Sequence, residues 1–261
     1  MSLGDRSIQR VERRQRHDEE ERQEKRDEQY QVLEEVFDKT TLMVIYNLLN
    51  KGVIRQLLGV VKSGKESRIY RGVSPSEEYL AVKIYLTVSA EFKRGMVPYI
   101  EGDPRFKEVK HDSRSLVYAW AQKEFKNLER ALDAGVRVPK PIIVEKNVLI
   151  MEFIGQDGIG APTLKEVTPR NPKTMYKTIL SNVRKLYRKA GLVHGDLSEY
   201  NIMNDGGKPV IFDVGQSVLV GHPWAKELLL RDIYNLNAYF SKLGIEAKTV
   251  EAVSKWVIGD E

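Results

Sequence analysis

Two acidic phrases, HGDLSEYN at residues 194–201 and PVIFDVG at 209–215, constrain this chain more than any other feature of it. They place Asp196, Asn201 and Asp213 at intervals that bring a general base and two oxygen ligands for a divalent cation to one point. That arrangement suits phosphoryl transfer, where catalysis rests on positioning and on neutralising phosphate charge. Taken alone, the first phrase also reads as a strand-end turn with a helix cap, and the second as a buried strand with a polar end. Their order and separation favour one shared site.

Protein-kinase catalytic loops run His-Arg-Asp, four residues, then Asn. Here the Asp196-to-Asn201 interval is kept, with Gly195 in place of the Arg, and Asp213-Val214-Gly215 stands where DFG is usual. Such a lobe needs a nucleotide-binding partner upstream with a lysine on a strand. YLAVKIY at 79–85 provides one, Lys83 being the only charge in a β-prone run. Its expected contacts are the α- and β-phosphates and a helical carboxylate. Residues 114–136 carry helical apolar spacing at Leu116, Ala119, Trp120, Phe125, Leu128 and Leu132, with Glu124 the chosen partner and Glu129 the competitor. Before the lysine, VVKSGKESRIYRGV at 60–73 has Gly64 and Gly72 only, so phosphate cradling would fall to a tight turn of Ser63, Lys65, Glu66 and Ser67. Gly59, Gly64 and Lys65 nearly complete a P-loop. That loop must open a helix, and SRIYRGV alternates like a strand.

SGKES, AVKIY, LVHGDLSEYN and IFDVGQSV together resemble the RIO family of atypical protein kinases, type-one branch, over roughly residues 50–245. The resemblance implies an α+β, trimmed two-lobed protein-kinase-like fold with an N-terminal helical extension. The expected divisions are 1–50 for the extension, 51–154 for the nucleotide-binding lobe and 155–261 for the catalytic lobe. It also implies a serine/threonine kinase or ATPase using ATP with Mg²⁺, or Mn²⁺ in its place. Lys83 would bind phosphate, Asp196 would be the base, and Asn201 and Asp213 would hold the metal. From the family alone comes a second role for Asp213, as acceptor of an aspartyl-phosphate. The implied partner is the precursor small ribosomal subunit, its RNA or its proteins, with self-phosphorylation in addition. No APE phrase follows Asp213, in keeping with a missing peptide platform and an archaeal-like compactness.

NVLIMEFIG at 147–155 reads as the segment passing the adenine, with backbone groups at Glu152 and Ile154 on its edge and Met151 lining the pocket. The chain has 261 residues, 41% hydrophobic, enough for one sizeable core or two modest lobes. It contains no cysteine, and its four histidines, at 17, 111, 194 and 222, lack metal-ligand spacing, which argues against structural zinc. No leader-like or membrane-length apolar run is present, so a cytoplasmic protein without membrane or DNA partners is expected. A formal charge of +5 permits RNA contact. Basic residues gather at Lys93, Arg94, Arg105, Lys107 and Lys110, and at Arg184, Lys185, Arg188 and Lys189, where a solvated face is the simpler reading.

Residues 5–38 mix charges of both signs and predict a solvated helix or disordered arm to about residue 28, then packed helix. TLMVIYNLLNKG at 41–52 predicts a short apolar helix closed by Gly52. About thirty residues between Lys83 and the Glu124 helix form a long loop, a candidate lid, partner segment or self-phosphorylation site at Ser89, Ser113 or Ser115. Two other functions compete: a small-molecule phosphotransferase of the aminoglycoside/choline kinase type, for which the residues after Asp213 leave little room, and an ATP-gated binding module.

Overall fold

The computed structural model describes residues 37–86, 95–96, 99–100, 102–107, 109–110 and 112–259. The charged arm up to residue 36, Ser89, Lys93 and Arg94 lie outside them. The chain divides into two compact units, 1–48 and 49–261. Helix α1 (Lys39–Asn50) begins in the first. Asp38 caps it, accepting from the amides of Thr40 and Thr41 at 3.0 and 3.2 Å. The chain leaves it through Gly52 at φ +67°, as the sequence predicts.

In the second unit a five-stranded antiparallel sheet is ordered β1-β2-β3-β5-β4. Its strands are β1 (Gln56–Ser63), β2 (Ser67–Val73), β3 (Tyr79–Tyr85), β4 (Pro141–Glu145) and β5 (Val148–Glu152). Central β3 is buried at every residue after Tyr79, whereas edge strand β1 is largely exposed. SRIYRGV is therefore a strand paired back on β1, and the residues before it form a hairpin turn rather than the start of a helix. Helix α2 (Ser113–Asp133) is capped by Asp112 and ends at Gly135, whose φ of +73° turns the chain toward β4. Its buried face holds Val117, Trp120, Ala121, Leu128 and Ala131, but also Lys123, Glu124 and Asn127. Leu132 is exposed, so apolarity alone misplaces the end of the face.

After β5 comes a small hairpin, β6 (Gly155–Gln156) with β7 (Ile159–Gly160). Helix α3 (Pro172–Lys185) starts on the Asn171 cap and continues as a π-turn through Leu186–Ala190. Two-residue β8 (Leu192–Val193) pairs with β11 (Val218–Leu219). Between them, β9 (Ile202–Asp205) and β10 (Lys208–Ile211) form a hairpin turned by Gly206 and Gly207, both at positive φ. Helices α4 (Ala225–Lys242) and α5 (Val250–Ile258) close the chain. One apolar cluster joins Leu149 and Met151 of the sheet and Leu128 of α2 to Ile179, Leu236 and Phe240 of the helices, and another gathers Tyr85, Phe106, Val117 and Trp120. No helix among the described residues is long and apolar enough to cross a membrane.

Gly155 has φ +154°, and a Cβ there would lie 2.1 Å from the Ile159 carbonyl oxygen. Gly155→Ala is expected to force the β6–β7 hairpin open and cost roughly 1–3 kcal/mol, read as a lower denaturant midpoint.

Candidate active site

Lys83 sits in mid-sheet, paired with Ile69 on one side and Leu149 on the other. Its ammonium is 6% exposed and lies 2.9 and 2.8 Å from the two carboxylate oxygens of Glu124 and 2.7 Å from Asp213 Oδ1. Glu129 is exposed on the far side of α2, so the helical carboxylate is Glu124. Burial opposes the Lys83 charge, yet Asp213 and Glu124 outweigh it and hold the amine well above its ordinary range. Burial pushes Glu124 up to about 7 against the pull of that ammonium. The Lys83 charge holds Asp213 below the usual carboxylate range.

The β9–β10 hairpin explains how Asn201 and Asp213 meet. Ile202 pairs with Ile211, and the Phe212 amide donates to the Asn201 carbonyl at 3.1 Å, so the residues flanking the hairpin emerge side by side. Asn201 Nδ2 donates to the Asp196 carbonyl at 2.7 Å and to its Oδ2 at 3.1 Å. The His194 ring bridges the same turns, with Nε2 3.2 Å from the Phe212 carbonyl and Nδ1 accepting the Asp196 amide at 3.3 Å. Burial raises Asp196 above the ordinary aspartate value, partly offset by His194 and Asn201.

Two cavities of about 300 and 440 Å³ share Lys62, Ile69, Met151 and Phe212 in their walls, forming a continuous cleft. The first is walled by Lys65, Glu66, Ser67, Lys83, Glu124 and Asp213, and the second by Ala81, Glu152, Phe153 and Ile154. Neither Asp196 nor Asn201 is among the lining residues; Asp196 is near enough for its charge to act on Glu66 and to feel that of Asp213. Ser63 is not among the lining residues, although its neighbours Lys62 and Gly64 are. The turn is a two-residue tip, Lys65-Glu66, closed by the Gly64 amide on the Ser67 carbonyl at 2.9 Å. Burial, then repulsion from Asp213, raises Glu66.

At the other end, two of the four main-chain groups of Glu152 and Ile154 are already used. The Glu152 amide donates to Lys140 and the Ile154 carbonyl accepts from Ala161. The Ile154 amide, just past the strand, makes no such bond among the described residues and is open to an incoming partner. The Glu152 side chain turns outward to Arg137, at 2.7 Å through both oxygens. Ser113 and Ser115 open α2, and the Ser115 hydroxyl is bonded to Asp112 at 2.6 Å.

For a divalent cation the available donors are hard oxygens. Asp213 is half exposed toward the cleft with Oδ1 on Lys83, leaving Oδ2, and Asn201 spends its amide nitrogen on Asp196, leaving Oδ1. Among the described residues no three His, Cys, Asp or Glu converge on a metal site. One carboxylate and one amide oxygen, completed by phosphate and water, is the donor set Mg²⁺ favours.

Several residues of the site escaped the motif reading. Lys62 and Phe212 face each other across the cleft, 5.5 Å from nitrogen to ring centre. Asp232 of α4 is 1% exposed and accepts the amides of Gly195 and Leu197, each at 2.8 Å. Arg231 donates to the Gly195 carbonyl. A lone carboxylate on the apolar face of LLLRDIYNL was the available signal for Asp232.

The model of the RIO domain matches residues 68–253. This chain belongs to the RIO family. It is 44% identical over 234 residues to the RIO-type serine/threonine-protein kinase Rio1 of Haloferax volcanii, covering 90% of this chain and 80% of that one. With the Rio1 of Methanocaldococcus jannaschii the identity is 39%, covering 90% and 79%. A crystal structure of Rio2 kinase from Chaetomium thermophilum, in an ADP/Mg²⁺–phosphoaspartate complex, has a TM-score of 0.64 at 20% identity, covering 85% of this chain and 67% of that one. That likeness establishes the kinase-like α+β fold. Within this RIO domain, Asp232→Ala would strand two buried amides, at about 1–3 kcal/mol each. Chemical denaturation is expected to register the loss, and turnover to fall with it.

Proposed function

We propose that the chain catalyses ATP- and Mg²⁺-dependent phosphoryl transfer to a serine or threonine hydroxyl. The observation that carries this is Lys83 bonded at once to Glu124 and Asp213, beside the Asp196–Asn201 pair. The adenine would lie between Ile69 and Phe212, its edge on the Glu152 carbonyl and Ile154 amide. Lys83, Lys65 and the Ser67 turn would orient the phosphates. Asp196 would take the proton of the attacking hydroxyl as the γ-phosphorus–oxygen bond forms and ADP leaves. Asn201 and Asp213 would hold Mg²⁺, which supplies charge neutralisation on the phosphate oxygens. The named relatives support the reaction class, and the family resemblance supports a role in maturation of the small ribosomal subunit.

A second outcome of the same site is ATP hydrolysis through an aspartyl-phosphate on Asp213. Asp213 is favoured for it because Lys83 keeps its carboxylate ionised, one oxygen remains unbonded to protein, and a Rio2 structure carries a phosphoaspartate. The carboxylate oxygen would attack the γ-phosphorus, ADP would leave, and water would then release inorganic phosphate.

Incubation with γ-labelled ATP and Mg²⁺ separates these. Acid-stable phosphoserine supports the kinase reading, base-labile label with phosphate release supports the hydrolytic cycle, and absence of both overturns phosphoryl transfer. Asp196→Ala is expected to lower kcat by about 10²–10⁴-fold while calorimetry still finds ATP binding. Because burial raises Asp196 above 3.8, its base form is lost as pH falls through a value above 3.8. The acid limb of the kcat/KM profile, which reports the free enzyme, is expected above the ordinary aspartate range. Asp213→Asn is expected to weaken the Mg²⁺ dependence of ATP binding, since a charged oxygen ligand is lost.

A further inference from the structure

The connection from β3 to α2 reaches both acidic turns through side chains. Asp103, 4% exposed, caps the 3₁₀ turn Pro104–Phe106 and grips the Arg105 guanidinium through both oxygens, at 2.9 and 3.0 Å to Nε and 2.6 Å to Nη2. So aimed, Arg105 Nη1 donates to Asn127 Oδ1 at 2.7 Å. Asn127 has no exposed surface, and its Nδ2 donates to the carbonyls of Val214 at 2.8 Å and Ser217 at 3.3 Å. Those carbonyls belong to the turn directly after Asp213. A second chain runs from the Tyr99 hydroxyl to Arg231 Nη2 at 3.3 Å, and the same nitrogen donates to the carbonyl of Gly195, the neighbour of Asp196. Tyr99 and Phe106 both pack against Trp120 of α2, and the buried Lys123 ammonium lies 4.4 Å from the centre of that indole.

This matters because Asp213 has φ +60° and ψ +52°. A non-glycine residue holds that left-handed conformation only where its surroundings over-determine it. An asparagine amide has an acceptor end and a donor end of nearly equal shape. Arg105 can bond only the acceptor, so it fixes which end of Asn127 meets Val214.

We propose that Arg105 and Tyr99 are positioning residues: the β3–α2 connection braces the Asp213 turn through Arg105–Asn127–Val214 and the catalytic loop through Tyr99–Arg231–Gly195. Displacing the connection would then change turnover rather than nucleotide affinity. The effect on turnover rests on the phosphoryl-transfer reading; the brace itself does not.

The test uses the full chain with Arg105→Ala, Arg105→Lys and Tyr99→Phe, measuring kcat, KM for ATP and backbone hydrogen exchange. The Ser217 amide, bonded to the Val214 carbonyl at 3.1 Å, is the reporter. Arg105→Ala should speed its exchange and lower kcat by about tenfold to a hundredfold, with KM for ATP within about twofold of wild type. Arg105→Lys should recover part of the loss, since an ammonium reaches one partner but not both. Tyr99→Phe should lower kcat while leaving Ser217 protection intact. Unchanged Ser217 exchange in Arg105→Ala overturns the brace, as does a kcat loss matched by a higher KM and a lower unfolding midpoint. If the wild type shows no turnover but Ser217 responds, the phosphoryl-transfer reading fails and the brace stands.

Discussion

One buried ammonium holds the site together. Lys83 comes from the middle of the sheet, Glu124 from α2 and Asp213 from the turn after β10, and the ammonium lies within hydrogen-bond distance of both carboxylates. Desolvating a lysine this far is expensive, and two carboxylates offset it; removing one partner of such a buried pair typically costs about 3–5 kcal/mol. The cluster therefore fixes α2 against the sheet and the Asp213 turn against both. Lys62 and Lys65 line the same cavity as Lys83, Glu124 and Asp213, so basic and acidic side chains both border it.

The acidic groups are held by a different device. A four-residue hairpin ladder sets Asn201 beside Phe212 and Asp213, and the amides around Asp196 are tied down from beneath by Asp232. Asp232 is pushed up to about 6 by burial, against His194 and its own amide bonds. The fold thus keeps a costly buried carboxylate where it serves as an anchor for backbone. Asn127 plays the matching part for the Asp213 turn. Neither side chain lines the cleft, yet both determine where cleft residues stand.

Much of this was legible because it is local. The interval from Asp196 to Asn201, the alternation around Lys83 and the helix-closing Gly52 each encode geometry within a few residues. Glu124 and Glu129 could not be separated, because helix rotation against the sheet is a packing outcome. The residues of the β1–β2 tip were evident, but which of them line the cleft, Lys62 and Gly64 without Ser63, depends on how the tip folds over the sheet. Asp232 and Asn127 carried no motif, since their partners are main-chain groups that could belong to any sequence.

The sequence by itself determined the candidate site's ingredients and their order: a strand lysine, a helical carboxylate downstream, the HGDLSEYN loop and a hairpin-borne aspartate, together with the RIO resemblance. It also excluded a P-loop, because a β-alternating run cannot open a phosphate-binding helix. Tertiary structure alone decided which carboxylate meets Lys83, which face of the β1–β2 tip lines the cleft, and that the β3–α2 connection bonds to both acidic turns. Those choices depend on burial and on contacts between residues as far as 130 positions apart, where the free energy lies in which surfaces pack together and not in any local conformational preference.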